Sequence, residues 1–258
     1  MYNMPNNNPY GGNPYGGGPF GGRRGFGSRY QYQVMPGYEA SPAQAASLIS
    51  KVMVLLAFSF LFAAIGTFIG MALNITFGTY LIIAIAGLVV LFILQFAIRV
   101  QGLNLFLLYL FTFLEGMSLA PLISIYLASG LGNILGEAFL LTAITSLGLA
   151  AYAWTTKRDF SHLGRYLFFG LILLIVLGIL GIFFAGVFST GPVAVLIAIL
   201  GVAIFSGYVL FYVQRAKYLP DTMPNAIGIT VSLFITVLNL FIYILELLSI
   251  LQGGNRRR

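Results

Sequence analysis

The chain has no cysteine, one histidine and one tryptophan, and charged residues make up only 7% of its 258 positions. Without cysteine there is no disulfide framework, no thiolate zinc site and no cysteine nucleophile, and the redox compartment is left open. The shortage of charge excludes more. An average soluble domain carries roughly 25% charged residues, and a water-facing surface cannot be built from 7%. Disorder of the whole chain is excluded from the other side, because 59% of the residues are hydrophobic and the mean hydropathy is +0.96, where disorder needs low hydrophobicity. The formal charge of +7 does not point to nucleic acid, since the basic residues flank apolar runs. What is left is a polytopic membrane protein whose obligatory partner is the lipid bilayer.

Other absences narrow the chemistry. The three lysines, Lys51, Lys157 and Lys217, lie at the ends of apolar runs, so none supplies the buried amine that a retinal Schiff base needs. The single histidine, His162, falls in a charged connection, where it reads as a solvated loop residue and not as the base of an intramembrane serine protease. Ligands for zinc do not cluster, and there is no phosphate-binding lysine loop. No catalytic residue, metal or cofactor is expected, and the chain does not read as an enzyme.

The first forty or so residues differ from the rest. Residues 8–22 read NPYGGNPYGGGPFGG, three copies of a five-residue unit with an aromatic third. Glycine and proline at this density predict a disordered tail over 1–42, a flexible extension or a sticky aromatic segment that recruits partners. No apolar h-region or small-residue cleavage site precedes the first hydrophobic run, so a signal peptide is not expected. Arg23, Arg24 and Arg29 would hold the tail near an anionic cytoplasmic leaflet. Order is predicted to begin at Ser41-Pro42-Ala43-Gln44, with serine at the N-cap, proline at the first helical position and glutamine closing a capping box.

From there the pattern predicts an all-α, seven-transmembrane-helix bundle over 43–258, with spans near 47–71, 79–98, 103–128, 134–155, 164–188, 192–213 and 226–250. Each is long enough for the ~20 residues that cross a ~30 Å hydrocarbon core. The fifth and sixth are divided only by Ser189-Thr190-Gly191-Pro192. Arg23, Arg24, Arg29, Lys51, Arg99, Lys157, Arg158, Arg165, Arg215 and Lys217 would all fall on one side of such a bundle, ten of the 13 basic residues. The positive-inside rule then predicts a cytoplasmic amino terminus, in the cell membrane of a prokaryote or an endomembrane of a eukaryote. Arg256, Arg257 and Arg258 lie outside if the last helix crosses fully, and return to the cytoplasm if it is re-entrant. The length of the last apolar run favours crossing.

Polar residues inside lipid are costly and so are default functional candidates. Glu115 lies twelve residues past Leu103, about 18 Å along its helix and near mid-membrane, with Thr112 and Ser118 three residues to either side. It reads either as a protonated acid bonded to a neighbouring helix or as an ion or proton ligand. Glu137 opens the fourth span, where the helix dipole favours a carboxylate, and reads as structural. On the last helix Ser232, Thr236, Asn239, Tyr243 and Glu246 recur at helical spacing on one face. Such a stripe points into the bundle, as interhelical glue or as a cavity lining, although Glu246 is near enough to the helix end to reach the interface.

Several strings, in order, resemble the Bax inhibitor-1 family of transmembrane Bax inhibitor motif proteins. They are FTFLEGMSLAPLISIY (111–126), Gly136-Glu137-Ala138-Phe139 opening a helix that ends in TTKRDFSHLG (155–164), FSGYVLFYVQR (205–215) and LFITVLNLF (233–241). The resemblance covers about residues 45–250. It implies a compact seven-helix bundle with one central helix and an association with pH-sensitive calcium leak. It also implies suppression of cell death by eukaryotic members and modulation of a membrane protease by bacterial ones. In the calcium-leak members an aspartate pair on the sixth and seventh helices senses protons and gates the pore. Here those positions are Tyr212 and Thr236, neither of which titrates near neutrality. Arg99 stands near the basic position expected at the end of the second helix, but its acidic partners are gone. The expectation is a cation leak or transport-like protein for ion homeostasis or stress survival, with calcium or protons as candidate partners. The alternative is a non-conducting regulator that binds other membrane proteins, for example a membrane protease. The candidate ion pathway or gate is Glu115, Tyr212, Thr236, Asn239 and Glu246, with Arg99 and Glu137 structural.

Overall fold

The computed structural model describes residues 41–73, 75–184 and 191–255. The tail expected over 1–42 lies outside the described residues except for its last two positions. So do most of the fifth-to-sixth connection and Arg256, Arg257 and Arg258. Among the described residues there are seven helices and no strand: α1 Pro42–Ala72, α2 Phe77–Ala97, α3 Leu103–Ala128, α4 Gly132–Thr155, α5 Leu163–Phe183, α6 Gly191–Ala216 and α7 Met223–Asn255. All seven are long and apolar enough to cross a membrane. α7 runs unbroken for 33 residues, about 50 Å, long enough for a full crossing.

The boundaries differ from the hydropathy reading at helix ends, where polar residues continue a helix past its apolar stretch. α1 begins at Pro42, capped as expected: the Gln44 amide donates to Ser41 Oγ at 3.3 Å and the Ser41 amide to Gln44 Oε1 at 3.1 Å. α7 begins at Met223 and not at 226, while α5 spans Leu163–Phe183 and its expected end at 188 lies outside the described residues.

α1 and α3 make the closest crossing. Ala63, Gly66 and Gly70 of α1 meet Phe113, Gly116, Met117 and Ala120 of α3, so that a Cβ added at Gly116 would run into the backbone of Ala63 and one at Gly66 into Phe113 O. Small residues allow this approach, which in lipid takes the place of a hydrophobic drive. Thr67 Oγ1 bridges the pair, donating to Ala63 O (3.0 Å) and Gly116 O (2.8 Å). Pro121 cannot donate to Met117 O, and that carbonyl faces the glycine surface of Gly70, where a Cβ would stand 3.0 Å from it.

α7 is the central helix, packed on α1, α3, α4 and α6, whereas α2 packs on α3 and α5 on α6. Phe234 of α7 is fully buried and touches the rings of Phe60 and Phe111. α2 and α5 turn large apolar side chains outward, among them Phe96, Ile82 and Phe183, as lipid-facing helices do. The ends carrying Lys51, Lys157 and Lys217 are tied together by polar contacts. Lys51 Nζ pairs with Asp221 Oδ1 at 2.8 Å. Gln214 donates to Arg158 O and accepts from the Phe160 amide. Lys217 Nζ donates to Ala153 O at 2.7 Å and lies 5.5 Å from the Trp154 ring centre. At the opposite end Tyr126 and Ser249 hydroxyls meet at 2.6 Å.

Candidate functional site

The structure divides the candidate residues between two seams. The first is α2–α3. Glu115 is partly buried, and its carboxylate is aimed at Gly87 of α2, where an added Cβ would stand 3.2 Å from Oε1. Glycine is what admits the carboxylate here. Thr112 and Ser118 do not help to bind it, because their hydroxyls donate to Tyr109 O (3.1 Å) and Glu115 O (2.7 Å) on their own helix. Among the described residues no side chain donates to the Glu115 carboxylate, so neither reading of Glu115 gains a neighbouring-helix hydrogen bond. What remains is an acid near mid-membrane beside a helix that contacts the bundle through α3.

The second seam is α6–α7. The stripe on α7 does turn inward: Ser232 and Thr236 are buried and Asn239, Tyr243 and Glu246 partly so. Thr236 Oγ1 donates to Ser232 O at 2.7 Å and Asn239 Nδ2 to Ile235 O at 2.8 Å. Ser232 Oγ likewise donates to Gly228 O at 2.9 Å. Hydroxyls and amides that bond back to the preceding turn lower the cost of burial within one helix, so for Thr236 and Asn239 this is not the interhelical glue that the spacing suggested. The cross-helix packing is aromatic. Tyr243 lies flat on Gly201 of α6 and stacks with Phe205, ring centres 5.7 Å apart and planes at 23°. Along α6 itself, Tyr208 stacks with Tyr212 at 5.5 Å and 14°. Tyr212 thus enters a ladder of rings beside the helix that carries Thr236. Glu246 receives no hydrogen bond among the described residues.

The two structural candidates are placed differently from expectation. Glu137 is exposed and sixth in α4, because the helix begins at Gly132 and not at 134. It is therefore past the first turn, where the dipole acts. Its role is a link to α7, through Gln252 Nε2 donating to its Oε2 at 2.7 Å. Arg99 is exposed just past α2 and forms no ion pair among the described residues. His162 is exposed, with Nδ1 4.0 Å from Asp159 Oδ2. No group of three or more potential metal ligands occurs among the described residues.

Sequence reasoning missed the loop chemistry at the basic end. Asp221 follows Pro220 in a short connection, and nothing in one dimension pairs it with Lys51, 170 positions away. The hydrogen bond from Lys51 holds the Asp221 carboxyl below its ordinary range. Burial against Ala153 and Trp154 pushes the Lys217 ammonium below its ordinary range, since desolvation disfavours the charged form.

Comparison with known proteins bears on residues 45–253, which match the family described as inhibitor of apoptosis-promoting Bax1. The chain is 32% identical to an uncharacterized protein of Campylobacter jejuni over 221 residues, 83% of this chain and 92% of the relative. It is 32% identical to an uncharacterized membrane protein of Vibrio cholerae over 204 residues, 78% and 88% of the two chains. A Golgi anti-apoptotic protein of vaccinia virus is 33% identical over 150 residues, 57% of this chain and 59% of the viral one.

Proposed function

The chain belongs to the Bax inhibitor-1 family, and on that premise we propose that it is a non-enzymatic cation leak or transport-like protein of the membrane, with Glu115 as its ion- or proton-binding group. One observation carries this reading. Glu115 presents a carboxylate near mid-membrane to a glycine surface on α2, with no donor from any described side chain. A carboxylate so placed is expensive in hydrocarbon and default evidence of an ion or proton route. Calcium suits an oxygen ligand of this kind, with water and backbone carbonyls completing its shell. The amino terminus and the basic loops face the cytoplasm in this reading.

The test is calcium flux into proteoliposomes across a range of pH, for the natural chain and Glu115→Gln. Flux abolished by Glu115→Gln supports the reading, whereas flux unchanged by it removes Glu115 from the path. A second reading, a non-conducting regulator of other membrane proteins, is favoured by the α6–α7 seam. There, close to the positions where calcium-leak relatives carry aspartates, rings of Phe205, Tyr208, Tyr212 and Tyr243 are stacked. Absence of flux at every pH in the natural chain favours the regulator. The anti-apoptotic name of the viral relative fits either reading, through ion homeostasis or through a partner.

A further inference from the structure

α1 and α4 do not pack against each other, and a cavity of about 770 Å³ opens between them. Its floor is Val237, Leu238 and Phe241 of α7, with α3 closing one side. On α1 it runs from Met53 to Met71, eighteen residues or about 27 Å, close to the ~30 Å depth of a hydrocarbon core.

The lining offers a guest nothing polar. It contains three hydroxyls, Thr67, Thr142 and Ser146, and each already donates to a carbonyl. Thr67 bonds Ala63 O and Gly116 O, Thr142 bonds Ala138 O at 2.7 Å, and Ser146 bonds Thr142 O at 2.6 Å. The backbone is helical, so its donors are satisfied as well, apart from the amide of Gly132 at the first position of α4. Water needs two to four polar partners to occupy a cavity, and an ion needs more. The guest is therefore hydrocarbon. Left without atoms, the walls would lose their dispersion contacts on one side.

A partner helix fits this mouth poorly. Close helix approach in lipid uses small residues and polar handles, as the α1–α3 crossing does. The rim of the groove carries instead exposed Met53, Phe68 and Leu147, while Phe139 lies across the floor, stacked on Phe241 with ring centres 4.4 Å apart. An acyl chain conforms to such an irregular wall, and methionine adapts to it.

We propose that the groove between α1 and α4 is a binding site for an acyl chain of a bilayer phospholipid. The proposal does not depend on ion flux. In the full chain with Trp154→Phe, a single tryptophan is placed in the groove (Ala143→Trp, or Leu147→Trp should the first not fold) or on the ordinary lipid face of α2 (Ile85→Trp). Each purified protein in detergent is titrated with phosphatidylcholine brominated on its acyl chains, and quenching is followed. The groove tryptophan is expected to reach half-quenching at a lipid-to-protein ratio about tenfold lower than the α2 tryptophan, one decade in apparent affinity. Filling the groove with Ala64→Phe should erase that difference. Superimposable curves for groove and α2 would show ordinary boundary lipid and overturn the proposal. So would a groove tryptophan that resists quenching while the protein cross-links as a dimer.

Discussion

Gly116→Ala puts the tightest contact of the fold under test. The added methyl would meet the carbonyl oxygen, carbonyl carbon and Cα of Ala63, the last two at 2.6 Å, where ordinary contact begins near 3.4 Å. The obstacle is backbone, so no side chain can rotate away and the helices must part by about an ångström. Overpacking of this kind costs about 1–3 kcal/mol, and rigid backbone places it toward the upper end. Parting also stretches the Thr67 bond to Gly116 O, worth roughly 0.6 kcal/mol in a membrane protein. Alanine returns about 0.8–1.0 kcal/mol through its better helix propensity. The net loss is about 2 kcal/mol, which for a domain of this size lowers Tm by roughly 4–8 °C. The assay is size-exclusion chromatography of heated, detergent-solubilised protein, with Gly148→Ala as control, since nothing lies within 4 Å of a Cβ there. Ala63→Gly should not rescue Gly116→Ala, because the colliding atoms remain. A Tm for Gly116→Ala equal to or above that of the natural chain would refute the geometry, and rescue by Ala63→Gly would move the clash to a side chain.

Three further outcomes follow from the basic end and the chain's ends. Asp221→Asn should lower stability near neutral pH by about 0–1 kcal/mol, the range of exposed pairs, because the Lys51 side chain is 43% exposed. The Asp221 pKa is depressed on folding, so its contribution is present above the unfolded value of roughly 3.9 and is lost as pH falls through the lower folded value. The gap between variant and natural chain should therefore close in acid, and a gap that widens there refutes the assignment. On this cysteine-free chain, Ser161→Cys should react with an impermeant thiol reagent only from the cytoplasmic side and Asn133→Cys only from the opposite side. Labelling of Ser161→Cys in intact cells rejects the topology. A chain beginning near Met35 should insert and keep its Tm, since the capping box that starts α1 lies beyond the deletion, and a fall of several degrees would mean that the tail packs on the bundle.

Helix number and the start of α1 were readable because they depend on local signals, apolar length and cap chemistry. The inward direction of the Ser232–Glu246 stripe was readable too, from spacing alone. What the stripe does there was not, since a back-bonded threonine and a helix-bridging one have the same letter and the same period. Glu115 could be placed in depth but not in azimuth. Its neighbour Gly87 is 28 positions away, in a stretch of α2 with no polar side chain between Tyr80 and Gln95. Glu137 shows the cost of a boundary error, since two residues of extra helix turn an N-terminal charge into an exposed contact with Gln252. The groove left no trace in the sequence, because an absence of contact between α1 and α4 is a property of how six other helix pairs settle.

α7 sets the relation between the two proposals. At 100° per residue, Ser232, Thr236, Asn239, Tyr243 and Glu246 fall within an arc of about 80°, while Val237, Leu238 and Phe241 centre about half a turn away. The polar stripe therefore faces α6 and the acyl groove lies behind it, with the width of a helix, about 10 Å, between them. The stripe side is filled by rings, Tyr243 on Gly201 above all, and the groove side is hydrocarbon with its hydroxyls satisfied. Neither side offers a continuous polar lining from one end of α7 to the other. Glu115, against α2, is consequently the group about which a route for ions has to be sought. A lipid in the groove can change the stability of α1 and α4 against α7 without passing through that route. Flux and lipid binding are then separable by mutation: Ala64→Phe acts on one and Glu115→Gln on the other.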